Sequence, residues 1–226
     1  MNRQYFQAQL DQLMADTLAL GNRVEEQLQR ALEAVLSNDL EQMQRIIADD
    51  KEINELAQQL HRRCITIIAR QQPMARDLRE ISVVLSLLPE FERMADHAAT
   101  CCKIMRRLNQ EPNFTPIQAM PGIFPQAIPE MGQRVLRLLH DGLDALARRD
   151  ASFAEAVSRE DDAIDHLYRR LFKETIEIAR AQPEYGDEAI HLLTLAHNLE
   201  RIGDRVTNLA EQVIFLLRGE IVELNT

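Results

Sequence analysis

The sequence has no tryptophan, only 7 glycines and 3 cysteines, and an aromatic content of 4%. So few aromatics leave little of the side-chain stock that sheets favour, while abundant Leu, Ala, Glu, Gln and Arg favour helix. The odd cysteine count, with Cys101 and Cys102 adjacent, excludes a disulfide framework and fits a reducing compartment. Neighbours on a helix point about 100° apart, so that pair also makes no metal fork. No stretch approaches the roughly 18 uninterrupted apolar residues of a membrane span, and residues 1–10 lack the apolar core of a signal peptide. The expected location is the cytoplasm. Basic residues are also short, with 26 Lys and Arg against 36 Asp and Glu and a formal charge of −10. Nucleic-acid binding needs clustered cations, so it is excluded. The doublets Arg62-Arg63, Arg106-Arg107, Arg148-Arg149 and Arg169-Arg170 lie among acidic residues and read as solvated helix faces. No glycine-rich phosphate loop, GxSxG or Cys-x-x-Cys is present.

What the chain does have is helical periodicity. One amphipathic pattern runs from Tyr5 to Leu36, and Ser37-Asn38-Asp39 supplies a turn and an N-cap for a second helix reaching Gln71. A third covers Leu78 to Leu108, with a kink expected at Pro89. Five of the eight prolines (Pro112, Pro116, Pro121, Pro125 and Pro129) fall between Glu111 and Pro129, which predicts a stretch no helix runs through. Periodicity resumes at Met131. Asp150 caps a fifth helix predicted to run to Gln182, and a sixth follows from Asp187 to Arg218.

The halves repeat. Ile53-Asn54-Glu55-Leu56 answers Ile164-Asp165-His166-Leu167, and Ala69-Arg70-Gln71-Gln72-Pro73 answers Ala179-Arg180-Ala181-Gln182-Pro183. The predicted architecture is all-α: two tandem antiparallel three-helix bundles, over residues 1–110 and 127–226, joined by a proline-rich connection at 111–126.

Each third helix carries the same motif, E-R-x-x-D. In the second half it is Glu200-Arg201-Ile202-Gly203-Asp204, and in the first Glu92-Arg93-Met94-Ala95-Asp96. Residues four apart share a helix face, so each motif sets two carboxylates side by side, an arrangement that calls for a cation. The preceding helix of each half adds a pair of its own: Asp161 with Asp165, and Asp50 with Asn54. In an antiparallel hairpin, residues equally far from the turn lie at one height. Counted outward from Pro73 and from Gln182-Pro183, each pair stands level with its motif, about 30 Å from the turn at 1.5 Å per residue. In the second half the apolar stripes place Asp161 and Asp165 on the same side of the hairpin as Glu200 and Asp204, so four carboxylates converge on one groove, and Glu211 extends the row. Close carboxylates cannot all ionise without a counter-charge. Either intrahelical pairs such as Arg201 with Asp204 supply it, or an oxygen-preferring divalent ion or iron does. The candidate metal ligands are Asp161, Asp165, Glu200 and Asp204 in the second bundle, and Asp50, Asn54, Glu92 and Asp96 in the first. With Asn54 in place of a carboxylate, the first site is expected to be the weaker. The sequence Glu188-Ala-Ile-His191 is a single E-x-x-H where a di-iron carboxylate enzyme needs two, so His191 reads as a surface residue. His97, beside Asp96, is a weaker candidate for the first site, because its counterpart is Arg205.

Four stretches resemble the PhoU family of bacterial phosphate-transport accessory and regulatory proteins: Leu199-Glu200-Arg201-Ile202-Gly203-Asp204-Arg205, Phe91-Glu92-Arg93-Met94-Ala95-Asp96, Gln72-Pro73-Met74-Ala75-Arg76-Asp77-Leu78-Arg79 and Leu139-His140-Asp141. The resemblance covers nearly the whole chain. It implies two three-helix bundles, each with a motif able to hold a mono- or multinuclear site of iron, zinc, manganese or magnesium. It further implies a non-enzymatic cytoplasmic negative regulator of phosphate uptake and phosphate-starvation signalling. The implied partners are the ATPase of the phosphate ABC transporter, the sensor histidine kinase of the phosphate regulon, and a second copy in a homodimer. Contact with the membrane would come only through partners. The first copy departs from the pattern at Phe91, Met94 and Ala95, with Pro89 just upstream. Two alternatives are a carboxylate-bridged metal enzyme, which would need an enclosed pocket and a non-carboxylate ligand, and a metal-free helical adaptor.

Overall fold

In the computed structural model, which describes residues 3–224, the chain forms seven α-helices. These are α1 (Arg3–Ser37), α2 (Leu40–Gln71), α3 (Arg76–Leu108), α4 (Phe124–Arg148), α5 (Ala151–Arg159), α6 (Asp161–Ala181) and α7 (Gly186–Arg218). No strand occurs among the described residues, and no helix there is long and apolar enough to cross a membrane. The outermost residues of the two expected domains, 1–2 and 225–226, lie outside the described residues.

Helix starts follow side-chain chemistry. Asp39 accepts the N–H of Gln42 at 2.9 Å, and Asp150 accepts those of Ser152 and Phe153 at 3.0 Å, each satisfying groups that a helix N-terminus leaves free. The single helix expected from Asp150 to Gln182 is broken at Glu160, so six expected helices become seven. The Glu160 backbone stays near the helical region at φ −74° and ψ −15°, but its N–H bonds back three residues to Val157 at 3.1 Å, and its carbonyl accepts from Ala163 at 3.3 Å. That is a 3₁₀-type tightening, and it sets a new helix start at Asp161. The proline stretch also differs from expectation. Helix α4 begins at Phe124, seven residues before Met131, because Pro125 falls in the first turn, where an N–H has no helical partner anyway. Pro129 removes one further bond, the one to the Pro125 carbonyl. Helix α3 runs unbroken through Pro89.

Helices α1–α3 pack on one another, as do α4–α7, giving two antiparallel three-helix bundles in tandem, the second with its middle helix split. The bundles join along α3 and α7, the most extensively packed pair, and along α1 and α4. Both joints are reciprocal. Gly21 of α1 receives Leu143 of α4, and Gly132 of α4 receives Leu32 of α1; a methyl on either glycine would collide with that leucine. On the other seam, His97 Nδ1 lies 2.9 Å from Asn198 Oδ1, and Arg205 Nη1 donates to Glu90 Oε2 at 3.4 Å. His97 and Arg205 are repeat counterparts, and so are Glu90 and Asn198. The repeat is therefore carried into space as a pseudo-two-fold axis between antiparallel α3 and α7.

Those two helices form the spine. Phe91, Ala95, Ala98, Ala99 and Cys102 of α3, and Leu199, Ile202, Val206 and Ala210 of α7, are fully buried. Small residues let neighbouring helices approach, while each large apolar side chain so buried contributes about 1.5–3 kcal/mol. The acidic motifs ride on this rigid spine.

Candidate metal centre

On α7, Ile202 and Leu199 point into the core, which turns Glu200 and Asp204 to the seam with α6. Gly203 is the residue that lets α6 come close. A Cβ there would collide with Oδ1 of Asp161 and would sit 3.4 Å from Ile164 Cδ1. Asp161, first residue of α6 after the break, is thereby pressed onto the α7 backbone and left 5% exposed. Its Oδ2 accepts the Thr207 hydroxyl at 3.2 Å, whereas its Oδ1 is buried with no protein partner. Burial, followed by the charges of Asp204 and Asp165, pushes Asp161 up to about 7. Glu200 is likewise pushed up to about 7, by burial and then by Asp204. All four predicted ligands of the second bundle thus feel one another.

Cations reach only the rim of this cluster. Arg201 donates to Asp204 at 2.6 Å and Arg169 to Asp165 at 3.1 Å, both from half-exposed positions. His197 Nδ1 lies 3.2 Å from Glu200 Oε2, but not in hydrogen-bonding geometry, so that buried oxygen stays unsatisfied. Burial lowers His197, with the neighbouring Arg201 and His97 adding to the effect, so it brings Glu200 little positive charge at neutral pH. The result is a buried carboxylate, Asp161, with no ion pair, beside a half-buried one, Glu200, whose buried Oε2 has no hydrogen bond although His197 and Arg201 stand near it.

The first bundle is a looser copy. Asp50 stands within hydrogen-bonding reach of Asp96, and burial followed by the Asp96 charge pushes it up to about 6. Glu92 is also raised, by burial and then by Asp96. Ala95 occupies the place of Gly203, and Asp50 is only half-buried where Asp161 is buried. Asn54 lies one turn beyond Asp50, half-buried, with no side-chain hydrogen bond to Asp50, Glu92 or Asp96 among the described residues. Glu211 and the two histidines weighed from the sequence are engaged elsewhere. Glu211 accepts the backbone N–H of Leu224 at 2.8 Å, His97 spans to Asn198, and His191 donates from Nδ1 to the Asp187 carbonyl at 2.8 Å.

Three contributors escape motif reading: Thr207, His197 and Gln27. Thr207 follows Asp204 by three residues and Gly203 by four, so helical spacing places it on the Asp161 side. Gln27 is a lone amide on the apolar face of α1, next to Val24, Leu28 and Ala31, and that misfit is its signal.

As the side chains stand, no three His, Cys, Asp or Glu groups among the described residues converge on one metal-sized point. The donor chemistry nevertheless suits a hard cation. It consists of oxygens alone, buried Asp161 has no ion pair, and the rim pairs of Arg201 and Arg169 are exposed enough to contribute only about 0–1 kcal/mol each. Rotation of Asp204 and Asp165 away from their arginines is the rearrangement a cation would require.

The PhoU domain pattern matches the chain twice, over residues 17–105 and 128–213, one copy in each bundle. The chain belongs to the PhoU family. It is 33% identical over 226 residues to a Phosphate-specific transport system accessory protein PhoU homolog of Clostridium acetobutylicum, covering 100% of both chains. It is 29% identical to the Escherichia coli Phosphate-specific transport system accessory protein PhoU, over 95% of this chain and 86% of that one. The crystal structure of PhoU from Pseudomonas aeruginosa superposes with a TM-score of 0.87 at 30% identity, covering 95% of this chain and all of that one. That of the phosphate transport system regulatory protein PhoU from Streptococcus pneumoniae gives 0.85 at 30% identity, over 96% and 99%. The all-α duplicated fold is thus the PhoU fold.

Proposed function

We propose that the chain is an accessory and regulatory protein of phosphate transport that acts by docking rather than by catalysis. The observation that carries this reading is the end-to-end likeness to relatives named as phosphate-specific transport system accessory proteins. In this reading it works on the cytoplasmic side. Its long helical faces meet the ATPase of the phosphate ABC transporter and the sensor histidine kinase of the phosphate regulon, restraining uptake and starvation signalling when phosphate is plentiful, with the protein acting as a homodimer. Direct phosphate binding does not suit the grooves, because an anion meets carboxylates first.

The carboxylate clusters are proposed to hold iron, zinc, manganese or magnesium ions that stiffen these faces. Support comes from Asp161, buried without an ion pair, and from the buried oxygens Asp161 Oδ1 and Glu200 Oε2, which have no hydrogen-bond partner. A bound cation would supply the missing counter-charge. The ion pairs Arg201–Asp204 and Arg169–Asp165 favour a second reading, the metal-free helical adaptor.

Deleting the gene in its host tests the regulatory role: the phosphate-starvation response should switch on in phosphate-rich medium, and normal repression in the deletion strain would refute it. Elemental analysis of the gently purified protein tests the metal. Stoichiometric metal in wild type that is lost in D161N/E200Q supports the cation reading, and none in either supports the adaptor.

A further inference from the structure

The two bundles differ where their first helices meet the clusters. Gly21 and Gly132, Val24 and Val135, Leu28 and Leu139, and Val35 and Leu146 are counterparts 111 positions apart, so α1 and α4 follow one register. In that register Gln27 answers Leu138. Both are 3% exposed, but only Gln27 carries polar atoms into the interior. Its Nε2 donates to the carbonyl of Ala95 at 3.5 Å, and the same amide N–H group stands within reach to donate to the Asp50 carboxylate, so the amide must turn over to present its oxygen there. Gln27 therefore sits where α1 meets both helices of the first cluster: Asp50 on α2, and the backbone just before Asp96 on α3.

Its oxygen is unsatisfied. Gln27 Oε1 is buried without a protein partner, and so is Oδ1 of Asp50. Arg30, three residues further along α1, is drawn to Asp49, with Nη2 2.6 Å from its Oδ2 and a buried Nε that bonds nothing, and the cation whose charge reaches Asp50 is Lys103 of α3. Leaving an acceptor buried and unbonded costs about 1–3 kcal/mol, so two in one corner need a common partner. Amide and carboxylate oxygens together suit a hard divalent cation.

We propose that Gln27 is a ligand of the first bundle's cation site, its amide oxygen reaching from α1 to complete the set that Asp50, Glu92 and Asp96 supply. This rests on the cation reading above. It makes the two sites unlike in kind. The first takes three carboxylates and a neutral amide from three helices, and the second takes four carboxylates from two helices. Asn54, which the repeat alone would nominate, is not needed as the fourth donor. The lower negative charge of the first site favours Mn²⁺ or Mg²⁺ at the expense of Fe³⁺.

The test uses the full chain and Mn²⁺ as the probe, followed by electron paramagnetic resonance and calorimetry. In an E200Q/D204N background, which leaves only the first cluster, Q27L installs the residue of the second bundle, Q27M keeps the volume, and Q27E keeps a donor oxygen. Loss of a ligand should weaken Mn²⁺ binding at least 10-fold in Q27L and Q27M. Q27E should bind as tightly as the parent or more tightly. If all three variants weaken alike, Gln27 acts as a hydrogen-bond donor or through a bridging water, and the proposal is overturned. It is equally overturned if none of them changes binding, or if the E200Q/D204N chain binds no Mn²⁺ while E92Q/D96N does. Should wild type bind no Mn²⁺, Zn²⁺ or iron at either cluster, the cation reading itself fails, and this inference with it. Thermal unfolding of each variant by circular dichroism identifies any that fails to fold, and Q27E carries the test if the apolar variants do.

Discussion

Stripped of metal, the protein should be less stable at neutral pH than at mildly acidic pH, and Asp161 should be the main cause. Its carboxyl is pushed from 3.8 up to about 7 in the folded chain, because it is buried beside Gly203 and faces Asp204 and Asp165. A raised carboxyl keeps its proton in the native state over a range where the unfolded chain has already released it. Stability from such a group is complete below its unfolded value and is lost as pH rises towards the folded one. Each pH unit in that interval is worth about 1.36 kcal/mol per proton. From pH 5.5 to 7 Asp161 therefore contributes a loss of about 2 kcal/mol. Glu200, raised from 4.5 to about 7, acts in the same direction. The two share Asp204 as a neighbour, so their contributions overlap rather than add.

Urea unfolding in chelator, followed by circular dichroism at several pH values, reads this directly. Wild type should lose about 2–4 kcal/mol between pH 5.5 and 8. Asp161→Asn should be flatter by about 2 kcal/mol and more stable than wild type at pH 8, since a neutral amide still accepts the Thr207 hydroxyl. Saturating Mn²⁺ should erase the wild-type slope, because cation binding needs the charged form. Parallel profiles for wild type and Asp161→Asn in chelator would refute the argument, for Asp161 would then titrate normally and the close approach at Gly203 would carry no electrostatic consequence.

Three other outcomes follow from the same geometry. Gly203→Ala places a methyl against Asp161 Oδ1 and should cost about 1–3 kcal/mol in urea unfolding, whereas an unchanged midpoint would mean that α6 and α7 separate freely. Asp165→Asn gives the second cluster the amide that Asn54 gives the first; Mn²⁺ should bind it more weakly than wild type at that cluster, and equal affinity in calorimetry would remove Asp165 from the ligand set. Ala75 lies at φ 47° and ψ −109°, a conformation that L side chains rarely adopt, so Ala75→Gly should stabilise the protein by up to about 1 kcal/mol, and a lowered unfolding midpoint would contradict the strain.

Much of this was legible in the sequence because helices and hairpins are local. Leu, Ile and Val at three- and four-residue spacing gave the helical faces, and Asp39 and Asp150 announced helix starts through side chains that can cap nothing else nearby. The level pairing of Asp50 with Asp96, and of Asp161 with Asp204, followed from counting outward from the two proline turns. What stayed hidden depends on third helices and on backbone detail. The break at Glu160 needs no glycine or proline, only a tightening of hydrogen bonds from four residues to three, and no residue type signals that. The prolines at 125 and 129 read as helix breakers, although the first turn tolerates Pro125 and the helix continues through Pro129 at the loss of one bond. Gln27 enters the first cluster from a helix that carries no acidic motif. Glu211 continues the helical spacing of the motif but is engaged by the C-terminal backbone.

The divergence between the two hairpins shows why the register survives. From Asn54 to Glu92 the first hairpin has three more residues than the second has from Asp165 to Glu200. Three residues inserted into one helix would rotate everything beyond them by about 300° and would turn a carboxylate pair out of its groove. The extra residues instead lengthen the helix ends beside the turn, one on α2 and two on α3, while both turns stay four residues long, at 72–75 and 182–185. The first hairpin closes through Gln72 and Ala75, both at φ 47°, while the second closes through a 3₁₀ turn at Pro183–Tyr185 with no positive φ. Two non-glycine residues held at positive φ cost roughly 1–2 kcal/mol each. Lengthening on the turn side leaves the paired faces beyond it in phase, so Asp50 still meets Asp96 as Asp161 meets Asp204. The constraint on this fold therefore lies on the rotational phase of the two acidic pairs, and hairpin length is free to vary where both helices lengthen on the turn side of those pairs.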